Sequence, residues 1–246
     1  MSRMLALVGR KLKSMKLAEK VSNSILDRIA SGHYSLGQLL PAEGELADEL
    51  GVSRLTLRES VKDLAARGVI QVRHGKRHRV APARQWSVLD PQLAHIRGQL
   101  LGESTAWVVQ LMEARQIVEV GACELAAERI SNQQLQELAE QLEAMVVAHK
   151  LENVDASVQA DLNFHRTIVA ASDNDYLRAA YTPLEQVLQL VRMQTSAHAQ
   201  VRTDAAYWHE QIYQALLEGS RDKARQAMQE HMLQTLGAIR EHLTSQ

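Results

Sequence analysis

The chain has 246 residues, 46% of them apolar and 4% aromatic, with four prolines and a formal charge of −1. That length suits one large domain or two ordinary ones with a sizeable core, and the near-zero charge excludes a chain that is basic throughout. The charge is divided, however: residues 1–82 hold fifteen Lys or Arg against eight Asp or Glu, a net of +7, and the remainder carries −8. This is the pattern of a nucleic-acid-binding head on an acidic body.

In chain order, residues 1–16 carry scattered Lys and Arg with a short apolar stretch at Leu5-Ala6-Leu7-Val8. The stretch is too short for a signal peptide and is expected to be a flexible basic arm. Leu17 to Ser31 predicts an amphipathic helix with Val21, Ile25 and Ile29 on one face. Leu46 to Arg67 predicts a helix-turn-helix. Leu46, Ala47 and Leu50 give the first helix its apolar face, Gly51 ends it, and Ser53 caps the second. Leu57, Val61 and Leu64 line the buried stripe of that second helix, and Arg54, Thr56, Arg58 and Lys62 take the opposite face. The N-terminal residues of such a helix read base edges in the major groove; the bland alternative is a helical hairpin with a solvated basic face. Gly68 closes the helix. Residues 69–72 and 79–80 then predict two short strands joined by Arg73-His74-Gly75-Lys76-Arg77-His78, a basic wing.

Residues 17–80 resemble the winged-helix domain of the GntR family of bacterial transcription regulators. Gly32-His33-Tyr34-Ser35-Leu36-Gly37-Gln38-Leu39-Leu40-Pro41-Ala42-Glu43 matches the family's G-x-Y-x-x-G-x-x-L-P-[SA]-E, and Gly51-Val52-Ser53-Arg54 with Arg58-Glu59 matches G-V-S-R-x-x-x-R-E. The resemblance implies that Arg54, Thr56 and Arg58 touch bases or phosphates of double-stranded DNA and that His74 and Gly75 enter the minor groove. Two departures bear on the operator. Gly44 stands where many members carry a basic residue, and the wing reads His-Gly-Lys-Arg-His-Arg instead of the commoner G-x-G-T. The winged domain is expected over residues 17–81.

Residues 82–91 hold two of the four prolines and no helical period, and are expected to be a linker, with Pro91 opening the next helix. Residues 92–246 then predict an all-helical domain. Seven helices are expected: about 92–101, 105–129, 132–149, 156–171, 176–198, 202–218 and 221–243. The corner Asp173-Asn174-Asp175 is read as a left-handed turn at the asparagine. The fold class is therefore mainly α, a winged helix-turn-helix followed by an antiparallel bundle of about seven helices. The one cysteine, Cys123, excludes an internal disulfide and fits a reducing cytoplasm, and no apolar run reaches membrane-spanning length.

Ten histidines are many for this length. Asp161 and His165 are four residues apart on one predicted helix, and His209 and His231 lie on the last two. One carboxylate and three imidazoles suit Zn²⁺, Ni²⁺ or Mn²⁺. On spacing alone, a surface Asp–His hydrogen bond and solvated histidines fit as well.

Residues 105–243 resemble the FCD ligand-binding domain of the FadR branch of GntR regulators. Asp161-x-x-Phe164-His165 matches D-x-x-F-H, His209-x-x-Ile212-x-x-Ala215 matches H-x-x-I-x-x-A, and Ala224-x-x-x-Met228-x-x-His231 matches A-x-x-x-M-x-x-H. The resemblance implies that Asp161, His165, His209 and His231 ligate a divalent metal. It also implies that Arg115 and Glu119 belong to the helix facing a bound effector. The expected protein is a homodimeric regulator on a palindromic operator, more often a repressor, released by a small carboxylic acid. The segment 85–91 resembles that of regulators answering sugar acids. A metalloenzyme built on the same four residues, and a regulator with a purely structural metal, are the alternatives; neither a nucleophile motif nor a dedicated general base accompanies the ligand set in the sequence.

Overall fold

The computed structural model describes residues 2–73, 76–102 and 105–243. The chain divides into two compact units at Gly102. Among the described residues no helix is long and apolar enough to cross a membrane.

The first unit begins with α1, Ser2–Ala30. Residues 2–16, expected as a flexible arm, are its first turns: the stretch is made largely of Met, Leu, Lys, Arg and Ala, good helix formers, and holds no proline. Helices α2, Glu43–Glu49, and α3, Arg54–Ala66, follow as the helix-turn-helix. Gly51 takes the left-handed conformation after α2, and Val52 N–H donates to Ala47 O, which reverses the chain. Ser53 Oγ accepts from Thr56 N–H at 3.1 Å and so caps α3. Strands β1, Ile70–Gln71, and β2, Arg79–Val80, pair antiparallel with Ile70 opposite Val80, and Leu39 adds a bridge to Arg79. The apolar positions expected on the two helical stripes are the ones buried: Val21, Ile25 and Ile29 on α1 pack with Leu57, Val61 and Leu64 on α3 and with Leu46 on α2. Ser60 Oγ donates to Ala18 O at 2.6 Å and ties α3 to α1.

The first unit extends past the expected linker. Residues 82–91 contain a 3₁₀ turn, Ala83–Gln85, and Trp86 is buried with its indole N–H donating to Ala81 O at 3.1 Å. Helix α4, Pro91–Leu101, is capped by Asp90, whose carboxylate also receives Arg67 Nε at 2.8 Å. Leu93 and Ile96 of α4 complete the same core as Leu57 and Leu64. Prolines at 82 and 91 suggested a linker, and a buried Trp86 and an Arg67–Asp90 pair fix the segment to its own unit.

The second unit holds α5, Ala106–Arg129; α6, Asn132–Lys150; α7, Val154–Ala171; α8, Asp175–Thr195; α9, Ala199–Leu217; and α10, Arg221–Leu243. Among the described residues seven α-helices thus follow the wing, as expected, but only six belong to this unit. Ser131, Asn153 and Asn174 cap α6, α7 and α8 with their side chains. At the corner before α8 it is Asp173 that is left-handed, with φ +46°, while Asn174 caps the helix by accepting from the N–H groups of Tyr176 and Leu177. The longer-range packing that matters for the site joins α5 to α7, α8 and α10 and joins α9 to α6 and α10.

Gly68 is required twice over. Its φ is +78°, and a Cβ there would lie 2.4 Å from Gln85 O in the 3₁₀ turn. Gly68→Ala is expected to cost about 2–4 kcal/mol, from a left-handed alanine plus a backbone clash. Gly32→Ala, at φ +80° with open space around it, should cost only about 1–2 kcal/mol. Urea unfolding of both variants measures the difference; equal losses would show that the approach to Gln85 carries no energy.

Candidate metal centre and nucleic-acid interface

Helix α7 presents Asp161 and His165 one turn apart, α9 brings His209 and α10 brings His231. All four are buried, and one ligand atom from each lies within 4.8 Å of the others. His165 Nε2 is 3.2 Å from His209 Nε2 and 3.2 Å from His231 Nε2, and Asp161 Oδ1 is 3.3 Å from His209 Nε2. His165 Nδ1 is 2.5 Å from Glu119 Oε2 on α5, a contact that favours the ring proton on that nitrogen and leaves the Nε2 lone pair facing the other ligands. One lone pair accepts one hydrogen at most, so two imidazole nitrogens at 3.2 Å overfill it. A shared cation resolves the contact: ligands about 2.0–2.2 Å from one ion stand about 2.8–3.1 Å apart at the right angles of an octahedron and about 3.3–3.6 Å apart in a tetrahedron, which brackets these spacings. The donor set and its spacing therefore fit a divalent metal.

The electrostatics agree. Burial pushes the His209 imidazole down to about 3 despite the pull of Asp161. It pushes His231 well below the ordinary histidine value and His165 down as well, although Glu119 works the other way. All three rings are thus neutral and able to ligate. Burial opposes the charges of Glu119 and Asp161, but Arg115 and His165 outweigh it at Glu119 and bring that carboxyl to about 2. Arg192 leads the groups that keep Asp161 ionised.

Arg115 and Glu119, expected to face an effector, are both fully buried and form an ion pair with each other along α5. They stand behind His165. A cavity of about 170 Å³ opens on the other side of the ligand set, lined by Asp161 and His209 together with Arg192, Arg202, Ser157 and Met145. Arg192, on α8, was not singled out in the sequence. Its Nε is 3.0 Å from Asp161 Oδ2 and its Nη2 is 3.5 Å from His165 Nε2. No short motif marks it, because its partners are 27 or more residues away in sequence.

In the first unit, Arg54 and Arg58 are exposed on the N-terminal half of α3. Thr56, expected among the DNA contacts, is instead buried, with its hydroxyl 2.9 Å from Ser53 Oγ and its N–H in the cap. The N-cap geometry turns that third helical residue inward. Arg58 Nε donates to Glu43 Oε2 at 2.8 Å, and Glu43 Oε1 lies 3.3 Å from His78 Nε2. The hydrogen bond from Arg58 comes first among the causes that lower the Glu43 carboxyl below its usual value. Arg58, Lys62, Arg73, Lys76, Arg77 and His78 line a groove of about 650 Å³ between α3 and the wing. His74 and Gly75 lie outside the described residues.

A winged helix-turn-helix with a basic groove, joined in one chain to an all-helical unit with a buried ligand set, defines a DNA-binding regulator of the kind that carries a separate sensory domain. Residues 17–80 match the bacterial regulatory proteins of the gntR family, and residues 110–234 match the FCD domain. The chain belongs to the GntR family, in the branch with an FCD domain, and is a transcription regulator rather than an enzyme. It is 28% identical over 224 residues to the HTH-type transcriptional regulator YieP of Escherichia coli, covering 91% of this chain and 94% of that one. It is 26% identical over 238 residues to the transcriptional repressor NanR of E. coli, covering 92% and 87%. Among solved structures, Lar of Listeria monocytogenes shares the fold, with a TM-score of 0.63 and 23% identity over 91% of this chain and 96% of that one.

Removal of one imidazole tests the ligand set. His231→Ala is expected to lower the metal content of the purified protein, and Glu119→Gln, which leaves all four ligands in place, is expected to weaken metal affinity about 10–100-fold by freeing the His165 ring. Elemental analysis and competition with a chelator read both, and full occupancy of His231→Ala would remove that residue from the set.

Proposed function

We propose that this regulator is a homodimeric repressor that binds a palindromic operator in the bacterial cytoplasm and is released from it by a small carboxylic acid, of the sugar-acid kind, bound beside a divalent metal. Zn²⁺, Ni²⁺ and Mn²⁺ all suit the three imidazoles and one carboxylate. The observation that carries the reading is a charge balance. The buried site contains two carboxylates, Asp161 and Glu119, and two guanidiniums, Arg115 and Arg192, paired with one another. The three histidines are neutral. The protein's own charges therefore cancel, and a dication bound by Asp161, His165, His209 and His231 brings an excess positive charge into a buried region that only an anion can offset.

The cavity beside Asp161 and His209 is where such an anion fits, and a six-coordinate metal held by the four residues would leave positions for a carboxylate or hydroxyl. Arg192 lines the cavity and can grip the same carboxylate with a charge-assisted fork. Arg115 acts one step removed, by fixing Glu119 and through it His165. Asp161, His165, His209 and His231 are thus the ligands, Arg192 the acid's direct partner, and Arg115 and Glu119 supports of that site. The repressor sign rests on likeness to NanR, which is a transcriptional repressor. The acid alters operator affinity through its differential affinity for two arrangements of the dimer. On DNA, Arg54 and Arg58 contact bases or phosphates, and His74 and Gly75 enter the minor groove.

Arg58→Ala is expected to weaken binding to an operator selected from a random duplex pool by about 1–3 kcal/mol. An unchanged affinity with the fold intact would remove Arg58 from the interface. The effector is tested by operator titration, followed by fluorescence anisotropy, against a panel of hydroxy and sugar acids with metal present. One acid should lower operator affinity about 5–150-fold. Compared at saturating metal, Arg192→Gln should keep its operator affinity but need a much higher acid concentration for release. If that variant releases DNA at the wild-type acid concentration, the acid is not held by Arg192. If no acid shifts the wild type, the metal serves structure alone.

A further inference from the structure

The first turn of α2 reads Glu43-Gly44-Glu45, and it seats the cations of the DNA-facing surface one by one. Glu43 takes Arg58 and His78. Glu45 accepts from Ala42 N–H at 2.9 Å, closing its own helix, and lies 3.7 Å from Arg77 Nη2. Between them Gly44 takes Arg54. A Cβ placed on Gly44 would meet Arg54 Nη2 at 3.0 Å, Cζ at 3.5 Å and Nε at 3.6 Å, and these are its three nearest neighbours. The guanidinium of Arg54 therefore rests against the bare Cα of Gly44.

The backbone gives no other reason for glycine at this position. Gly44 is helical and is absent from the glycines with positive φ. Within a helix, glycine costs up to about 1 kcal/mol relative to alanine. The residue that gains from its missing side chain is Arg54, the first residue of α3. The N-terminal residues of such a helix meet base edges, and an arginine reads guanine through a planar fork whose tilt and position decide which bases it can engage.

We propose that Gly44 is a specificity-determining residue: by having no side chain it seats the Arg54 guanidinium over α2, and so sets which base pairs Arg54 reads. A methyl group at 44 pushes the guanidinium by a few tenths of an ångström. A longer side chain takes its place altogether and sends Arg54 to a different step of the duplex. Gly44 acts through Arg54 and touches no base itself. The inference rests on Arg54 being a base contact, a reading that the Arg54→Ala variant tests on its own.

The experiment is selection from a randomised DNA duplex pool by the full-length protein, for wild type, Arg54→Ala, Gly44→Gln, Gly44→Ala and the double variant Gly44→Gln/Arg54→Ala. Affinities are then measured on the wild-type selected duplex. Arg54→Ala should lose preference at particular base pairs. Gly44→Gln should lose or change preference at those same base pairs and weaken binding to the wild-type duplex roughly 5–150-fold, the size of one bidentate contact. Gly44→Ala should fall between Gly44→Gln and wild type. The double variant should match Arg54→Ala alone, because there is no longer a guanidinium to displace. Thermal melting checks that each variant is folded. If Arg54→Ala selects the wild-type sequences at wild-type affinity, Arg54 is not a base contact and the proposal falls with it. If Arg54→Ala changes the selection but Gly44→Gln does not, or if the two losses add in the double variant, the role of Gly44 is overturned while that of Arg54 stands.

Discussion

The helical unit is organised around a lone pair. Glu119 Oε2 favours the proton on His165 Nδ1, so the buried His165 Nε2 faces His209, His231 and Arg192 with its lone pair. An imidazole pair at that distance can share one hydrogen, but three nitrogens and a carboxylate oxygen cannot all be satisfied among themselves. Buried polar groups without partners are costly, so the arrangement persists only where something compensates it. The flanking guanidiniums, Arg115 on Glu119 and Arg192 on Asp161, offset the two carboxylates, and the imidazole nitrogens are left to one another. Those pairs hold both carboxylates ionised and draw on α5, α7 and α8, while α9 and α10 bring His209 and His231 to the same site.

Much of the DNA-binding unit was legible from sequence because its signals are local. Gly51, the Ser53 cap and the stripe Leu57, Val61 and Leu64 each act within a few residues, and the structure places all of them as expected. Where tertiary contacts decide, the reading fell short. Pro82 and Pro91 suggested a linker that ends the first unit, yet α4 joins the first core through Leu93 and Ile96. Thr56 lies in the polar face by periodicity but turns inward to serve the cap. In the second unit Asp161 and His165 declare themselves by an i, i+4 spacing, whereas His209 and His231, far away in the chain, were candidates that only resemblance to a family tied to that pair. Arg192 carries no motif, and its closeness to Asp161 is a property of how α8 packs on α7, which no window along the chain contains.

The two units use carboxylate–arginine pairs in opposite ways, and burial decides which. Arg115 and Glu119 are both about 1% exposed. Breaking such a pair leaves an uncompensated buried charge and costs about 3–5 kcal/mol, so Glu119 is a fixed support and His165 keeps one tautomer. Arg58 is 62% exposed and its partner Glu43 32%. An exposed pair of that kind is worth about 0–1 kcal/mol. Glu43 can therefore orient Arg58 in the free protein and still yield it to a phosphate or a base, whose hydrogen bonds are worth more than the pair they replace. The acidic residues beside the basic groove are in this sense part of the interface: they lower its net charge, which limits indiscriminate attraction to the phosphate backbone, and they hold the forks of Arg58 and Arg77 in place until base edges compete for them.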